Sequence, residues 1–259
     1  MLRTMLPVTL PWDFVVILIV LAVVVPWRGA VRVRALMRRD ALTSVDLIAL
    51  YASTIAFQWL ATAIILWRAT AHGYRLADLG LALPSPWLAI TVGVALSALI
   101  SFNQAVSIRR LASLPSEKQG FMRALTLKLM PHNAPERLAF FALVATVALC
   151  EETIYRGFIQ RLFLNVSHGS IAIAILGAAV FFSLAHLYQG RRGLVVTFFA
   201  GAIFSAVCAW TGSLVPTMAA HFVADLSVGL LAPRLLKARE TPVLEGASNT
   251  MSASVDSNP

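Results

Sequence analysis

A small set of side chains in the second half of the chain has the types needed to hydrolyse an amide: Glu151, His186, His221 and Asp225, accompanied by Glu152, Arg156 and Phe182. That reaction needs an activated water, a proton donor for the leaving amine and a stabiliser for the oxyanion. Glu151 suits the base, His186 can hold and polarise the water, and His221 can donate towards the oxyanion. Glu151, His186 and His221 equally make up a common catalytic zinc set. Residue types alone leave a metal-free and a zinc-dependent mechanism open.

Spacing divides the acids. Glu152 and Arg156 stand four apart with the acid first, the favourable order for an ion pair along a helix. On the same helix Glu151 is turned about 100° away, and its i+3 and i+4 neighbours, Ile154 and Tyr155, supply no cation. Glu151 therefore has to be satisfied by another helix, a water or a proton. His221 and Asp225 are also four apart, so the carboxylate can fix the tautomer of the imidazole. Phe182 precedes His186 by one turn, where its ring either limits the approach of water or simply packs.

The elements that must hold these groups are membrane helices. Of 259 residues, 59% are hydrophobic and 13% charged, and mean hydropathy is +0.79; soluble domains carry roughly a quarter charged residues. A soluble single-core protein is excluded. The expected fold class is all-α, a polytopic transmembrane bundle of about seven or eight helices with the chemistry on three of them. Seven apolar stretches can cross a core of about 30 Å, near 8–27, 45–67, 86–108, 138–163, 170–188, 193–210 and 213–233. The first reads as a retained helix: only Arg3 precedes it, Asp13 lies within it and arginines follow it. Trp12, Trp27, Trp59, Trp67, Trp87 and Trp210 fall mostly near the ends of stretches, where an indole can sit in the interface. Phe121, Leu125 and Leu129 predict a short interfacial helix over 120–130. Three regions follow: membrane helices and basic loops over 1–135, a catalytic membrane core over 136–238, and a polar, disordered cytoplasmic tail over 239–259.

The net charge of +9 does not point to nucleic acid, because the basic residues fill the gaps between apolar stretches instead of forming one aromatic-laced face. Most of the 21 Lys and Arg gather in alternate connections, around Arg28 to Arg39, Arg109 to Arg137, Arg191 with Arg192, and Arg234 to Arg239. Basic residues accumulate on the cytoplasmic side, which places the N-terminus outside and the C-terminus in the cytoplasm. At 1.5 Å per residue, Glu151 then lies roughly 16 Å from the cytoplasmic face, His186 about 6 Å, and His221 and Asp225 roughly 18 and 12 Å. All four share the cytoplasmic half of the bilayer, where an ionisable group needs a partner or a wet cavity. Cys150 and Cys208 form no CxxC pair and no disulfide framework.

The strings EETIYR (Glu151 to Arg156), FSLAH (Phe182 to His186) and HFVAD (His221 to Asp225) resemble the EExxxR, FxxxH and HxxxN/D motifs of the CAAX-protease and bacteriocin-processing family. The resemblance covers roughly residues 136–235, with Thr211, Gly212, Ser213 and Leu214 opening the last helix; residues 1–135 are similar only in being hydrophobic and helical. It implies an intramembrane endopeptidase related to enzymes that remove the last three residues of prenylated CAAX proteins. Such an enzyme works within the lipid bilayer on a membrane-associated protein or peptide, from a cavity facing the cytoplasm. Carried onto this chain, Glu151 and His186 activate the water, His221 and Asp225 take the oxyanion side, and Glu152, Arg156 and Phe182 support them. The family was long described as metalloproteases, while its structural picture favours a glutamate-activated water. In that version no metal is required, and zinc is the alternative cofactor. Asp225 stands where eukaryotic members have Asn, and an ionised carboxylate cannot donate as an amide can. It has to act protonated or by orienting His221. The acidic form is familiar in prokaryotic members, which implies a prokaryotic plasma membrane and loosens the tie to CAAX substrates.

Two readings from other classes compete. Intramembrane Glu, His and Arg also mark the ion pathways of transporters, although the repeated halves common in transporters are not visible. A non-catalytic scaffold or immunity protein of the same fold would use Glu151 for folding only.

Overall fold

A computed structural model describes residues 10–237. Arg3 and the tail expected over 239–259 lie outside the described residues. Among these residues there is no strand; the chain runs through α1 (Trp12–Ile19), α2 (Val25–Met37), α3 (Ser44–Ala71), α4 (Pro86–Ser113), α5 (Ser116–Leu129), α6 (Ala134–Glu151), α7 (Gln160–Val166), α8 (Ile171–Ala185), α9 (Gly190–Thr211) and α10 (Val215–Lys237). Among the described residues six stretches are long and apolar enough to cross a membrane: Trp12–Met37, Ser44–Ala71, Pro86–Ser113, Ala134–Val166, Leu187–Thr211 and Val215–Leu236. The seventh apolar stretch of the sequence is the shorter α8, of 15 residues.

Two of these rods contain a widened turn. A π-helical turn over Val20–Val24 joins α1 to α2 just ahead of Pro26. Pro26 has no N–H for the preceding turn and its ring crowds the carbonyl there, so a widened turn keeps the rod continuous. This helix does not stop near Trp27, as hydropathy alone suggests, but carries Arg28, Arg32 and Arg34 on to Met37. Arginine is a good helix former, and its long stem lets the guanidinium leave an apolar environment without breaking the helix. The second widened turn, Glu152–Ile159, joins α6 to α7.

Local chemistry sets the starts of the two helices that matter most. At α3, the Thr43 side chain accepts from the Asp46 N–H at 3.2 Å while the Asp46 carboxylate accepts from the Thr43 N–H at 3.1 Å, a reciprocal capping box. At α6, the Asn133 side chain accepts from the Glu136 N–H at 2.9 Å. Buried Glu136 is itself satisfied by Ser44, by the His132 N–H at 2.6 Å and by the Asn133 amide at 2.7 Å, which ties the foot of α6 to the foot of α3.

Helix α3 packs along α6, α8 along α9, and α10 against both α4 and α6. In lipid, helix association rests on close packing and on interhelical hydrogen bonds, because lipid tails are as apolar as leucine. Small residues permit that approach. A Cβ on Gly201 of α9 would stand 3.2 Å from the Ala179 Cα of α8, and one on Gly93 of α4 would stand 3.3 Å from the Pro216 Cα of α10. The largest buried cluster gathers Phe14, Ile65, Tyr74 and Leu79 around Ile154, Tyr155, Phe158, Ile159, Ala178 and Phe182, so its centre is the widened turn after Glu151. Trp12, Trp27, Trp59, Trp67, Trp87 and Trp210 are exposed.

The connection between α3 and α4 contributes Tyr74 and Leu79 to this cluster. It contains a short 3₁₀ turn, Leu76–Leu79, and ends on Gly80 in the left-handed region (φ 74°), whose carbonyl accepts from the Leu214 N–H at 2.9 Å. Helix α5 includes the short helix expected over 120–130, but the chain turns at Gly120 (φ 59°), where only glycine is free to go. Beyond that break Leu125 is buried while Phe121 stays exposed, so the three residues expected on one face do not share an environment.

Candidate active site

Glu151 closes the regular part of α6, and all eight residues that follow, Glu152–Ile159, are buried and π-helical. Single widened turns of this kind concentrate at functional sites, since an i→i+5 ladder re-aims side chains relative to a regular helix. Gly157 explains how this one fits. A Cβ there would meet the Leu79 carbonyl oxygen at 2.9 Å, so only glycine lets the widened turn lie on the 76–79 turn.

The ion pair read from spacing is present. Arg156 Nη1 donates to Glu152 Oε1 at 2.9 Å, and both side chains are 0% exposed. The guanidinium is also sandwiched by rings, with its Cζ 4.0 Å from the Phe182 centroid and 5.2 Å from that of Phe204. The same Glu152 oxygen receives His221 Nδ1 at 2.9 Å. The sequence suggested that Asp225 fixes the His221 tautomer; the structure corrects this, because the shorter contact is to Glu152. A carboxylate oxygen can only accept, so Nδ1 carries the proton and Nε2 faces the other way. Asp225 stands on that Nε2 side at 3.6 Å, with its side chain 40% exposed.

His186 is the first residue beyond the regular turns of α8 (φ −98°, ψ 14°) and precedes a 3₁₀ turn, Leu187–Gln189. Its Nδ1 donates to the Phe182 carbonyl at 2.8 Å, which leaves Nε2 as the nitrogen available to a reacting group. Phe182 joins the two histidines. Its ring centroid lies 4.6 Å from that of His186 and 6.1 Å from that of His221, so the two imidazoles are no further apart than those two distances together. Tyr188 stands beside His186 with centroids 6.0 Å apart. Asp225 lies within electrostatic range of Glu151, Glu152, His186 and His221, which brings α6, α8 and α10 to one polar region.

Glu151 has a partner that hydropathy and charge did not reveal. Gln58 of α3 donates its side-chain N–H to Glu151 Oε1 at 2.9 Å, while Oε2 is buried with no protein partner. In sequence Gln58 is the one amide in a stretch otherwise sprinkled with Ser and Thr. A rule limited to ionisable residues passes it over; extending that rule to every amide in an apolar stretch would have found it.

Among the described residues, no three His, Cys, Asp or Glu side chains are grouped to hold a metal ion. Both histidines direct Nδ1 at protein partners, which leaves each Nε2 towards the site.

Comparison with known families adds a finding: residues 133–227 match the family described as type II CAAX prenyl endopeptidase Rce1-like. This segment is similar to that family. It contains Glu151, Glu152, Arg156, Phe182, His186, His221 and Asp225, and it leaves Gln58 outside. No curated protein and no solved structure matches the chain. The chain thus combines a segment similar to that family with six described helices long and apolar enough to cross a membrane.

Proposed function

We propose that this protein is an intramembrane endopeptidase that hydrolyses a peptide bond of a membrane-associated protein or peptide with a glutamate-activated water, from a cavity facing the cytoplasm. The observation that carries the proposal is the unequal treatment of two consecutive acids: Glu152 Oε1 holds a cation and an imidazole, while Glu151 Oε1 holds only a neutral amide; Oε2 of each is buried without a hydrogen-bond partner.

In the proposed sequence Glu151 Oε2 takes a proton from a water held between it and His186 Nε2, and the hydroxide oxygen bonds to the scissile carbonyl carbon. The carbonyl π electrons move onto its oxygen, and His221 Nε2–H stabilises that oxyanion, with Glu152 supporting the positive imidazole through Nδ1. Collapse re-forms the carbonyl and breaks the C–N bond, and the proton carried by Glu151 passes to the leaving amine. Asp225 orients the Nε2 side of His221 from 3.6 Å.

A wet cavity at this depth has a physical motive. Helix α8 has 15 residues, about 22 Å of rise, against a hydrocarbon core of about 30 Å. If Ser170 starts at the outer face, His186 and the Leu187–Gln189 turn end inside the membrane. Irregular backbone there is tolerated where it is covered by protein or lines a water-filled space. The excess of Lys and Arg in alternate connections supports a cytoplasmic side for that space and an N-terminus outside.

The test is cleavage of membrane-anchored peptides by the purified protein in liposomes, with products identified by mass spectrometry. Wild-type protein is expected to release defined fragments, and Glu151→Ala and His186→Ala to release none. Cleavage retained in both variants would reject the mechanism.

A further inference from the structure

Every group that the family motifs supply to this site lies within residues 133–227, yet the shortest contact made by the proposed base comes from elsewhere. We propose that Gln58 is a positioning residue, which holds Glu151 Oε1 so that Oε2 faces the reacting water. The proposal rests on the hydrolase reading given above.

Three observations support it. First, Gln58 Nε2 donates to Glu151 Oε1 at 2.9 Å, and Oε2 is buried without a protein partner. The amide therefore selects which oxygen is anchored and which is left to react. Second, Gln58 stands on a fixed platform. Its neighbour Trp59 donates Nε1 to Thr146 Oγ1 at 3.2 Å, the Tyr51 ring packs 5.7 Å from Phe140, and the Tyr51 hydroxyl donates to the Leu129 carbonyl at 2.6 Å. The first two contacts tie α3 to α6 at Thr146 and Phe140, ahead of Glu151, and the third ties it to the end of α5; a group that orients a base must itself be held.

Third, an amide is the appropriate chemistry. A lysine or arginine at this position would pin Glu151 as a permanent carboxylate, as Arg156 does for Glu152. A neutral N–H donor anchors one oxygen and still allows the other to take up and release a proton. A mere hydrogen bond between α3 and α6 would be worth little to stability in a membrane, and it would not require a residue directed at Glu151 in particular.

The experiment uses the full-length protein in detergent or liposomes. Gln58→Met keeps side-chain length and removes the donor; Gln58→His restores an N–H at similar reach. Gln58→Met is expected to lower kcat by about tenfold to a hundredfold, the worth of a hydrogen bond to a charged group. KM should stay near the wild-type value, because Gln58 touches the base and not the substrate. Gln58→His should recover much of kcat, and Tm should barely move in either variant.

Infrared difference spectra provide an arm without turnover. The carboxylate band that disappears in Glu151→Gln should shift in Gln58→Met and return in Gln58→His. Full kcat in Gln58→Met, or an unmoved Glu151 band, would overturn the positioning role. Wild-type protein that cleaves nothing would overturn the hydrolase reading instead, and the band comparison would still decide whether Gln58 anchors Glu151. Should Gln58→Met fail to fold, Gln58→Leu with the same two readouts replaces it.

Discussion

Glu151 and Glu152 are neighbours in the chain with opposite surroundings. Glu152 is fully enclosed between Arg156 Nη1 and His221 Nδ1, both at 2.9 Å, whereas Glu151 meets only the Gln58 amide at 2.9 Å. One acid holds the charged and ring partners of the site and the other a neutral amide. The start of the widened turn falls between them, so the difference in surroundings coincides with a change in the backbone ladder.

The Glu152–Arg156 pair should dominate stability. Arg156→Met leaves Glu152 without its cation in a closed environment, and the loss should be about 3–5 kcal/mol, as for one partner removed from a buried pair. Arg156→Lys keeps the charge but loses the planar contact with Phe182 and Phe204, and should fall in between. Thermal unfolding in detergent orders the three proteins. A Tm for Arg156→Met equal to that of the wild type would contradict the role given to this pair.

Gly157 is the contact point between the widened turn and the 76–79 turn. Gly157→Ala pushes a methyl to 2.9 Å from the Leu79 carbonyl oxygen, a backbone atom that cannot rotate away. The expected cost is about 1–3 kcal/mol, the usual range for overpacking. Because the displaced turn carries Arg156, cleavage should fall as well. Tm and cleavage rate measured on the same preparation check both expectations.

How much of this was legible in the sequence depends on the kind of signal each residue carries. Glu151, His186, His221 and Asp225 stand out because ionisable groups are rare in apolar stretches, and the Glu152–Arg156 pair follows from helical spacing. The Glu152–His221 contact was not legible, since it joins residues 69 apart and no local rule pairs them. The sequence offered Asp225 in that place because i,i+4 spacing is visible and tertiary contact is not. Gln58 was hidden by its lack of charge. The widened turn has no pattern of its own beyond Gly157. The first helix was read too short because arginines signal a membrane boundary by charge while continuing a helix by propensity.

A control comes from an exposed pair in the connection between α3 and α4. Arg75 Nε and Asp78 Oδ2 are 3.1 Å apart, but the Arg75 side chain is 75% exposed. Such a pair contributes little, so Arg75→Ala should leave Tm at neutral pH close to the wild-type value. The hydrogen bond from Arg75 holds the Asp78 carboxyl below the usual carboxylate range. A depressed carboxylate stabilises the fold above its unfolded pKa, about 3.9 for Asp, and loses that contribution as pH falls through its own lower value. Arg75→Ala should therefore soften the loss of stability in this acid window, which unfolding curves at stepped pH would register.

The most direct measurement is the single-turnover cleavage rate of Glu151→Gln compared with its Tm, set beside the same two values for Glu152→Gln. Glu151→Gln should lose at least about a hundredfold in rate, the scale of general-base catalysis, with Tm near that of the wild type. Glu152→Gln should lose Tm first, because it removes the counter-ion of Arg156 and His221. Undiminished cleavage by well-folded Glu151→Gln would contradict the assignment of Glu151 as the base.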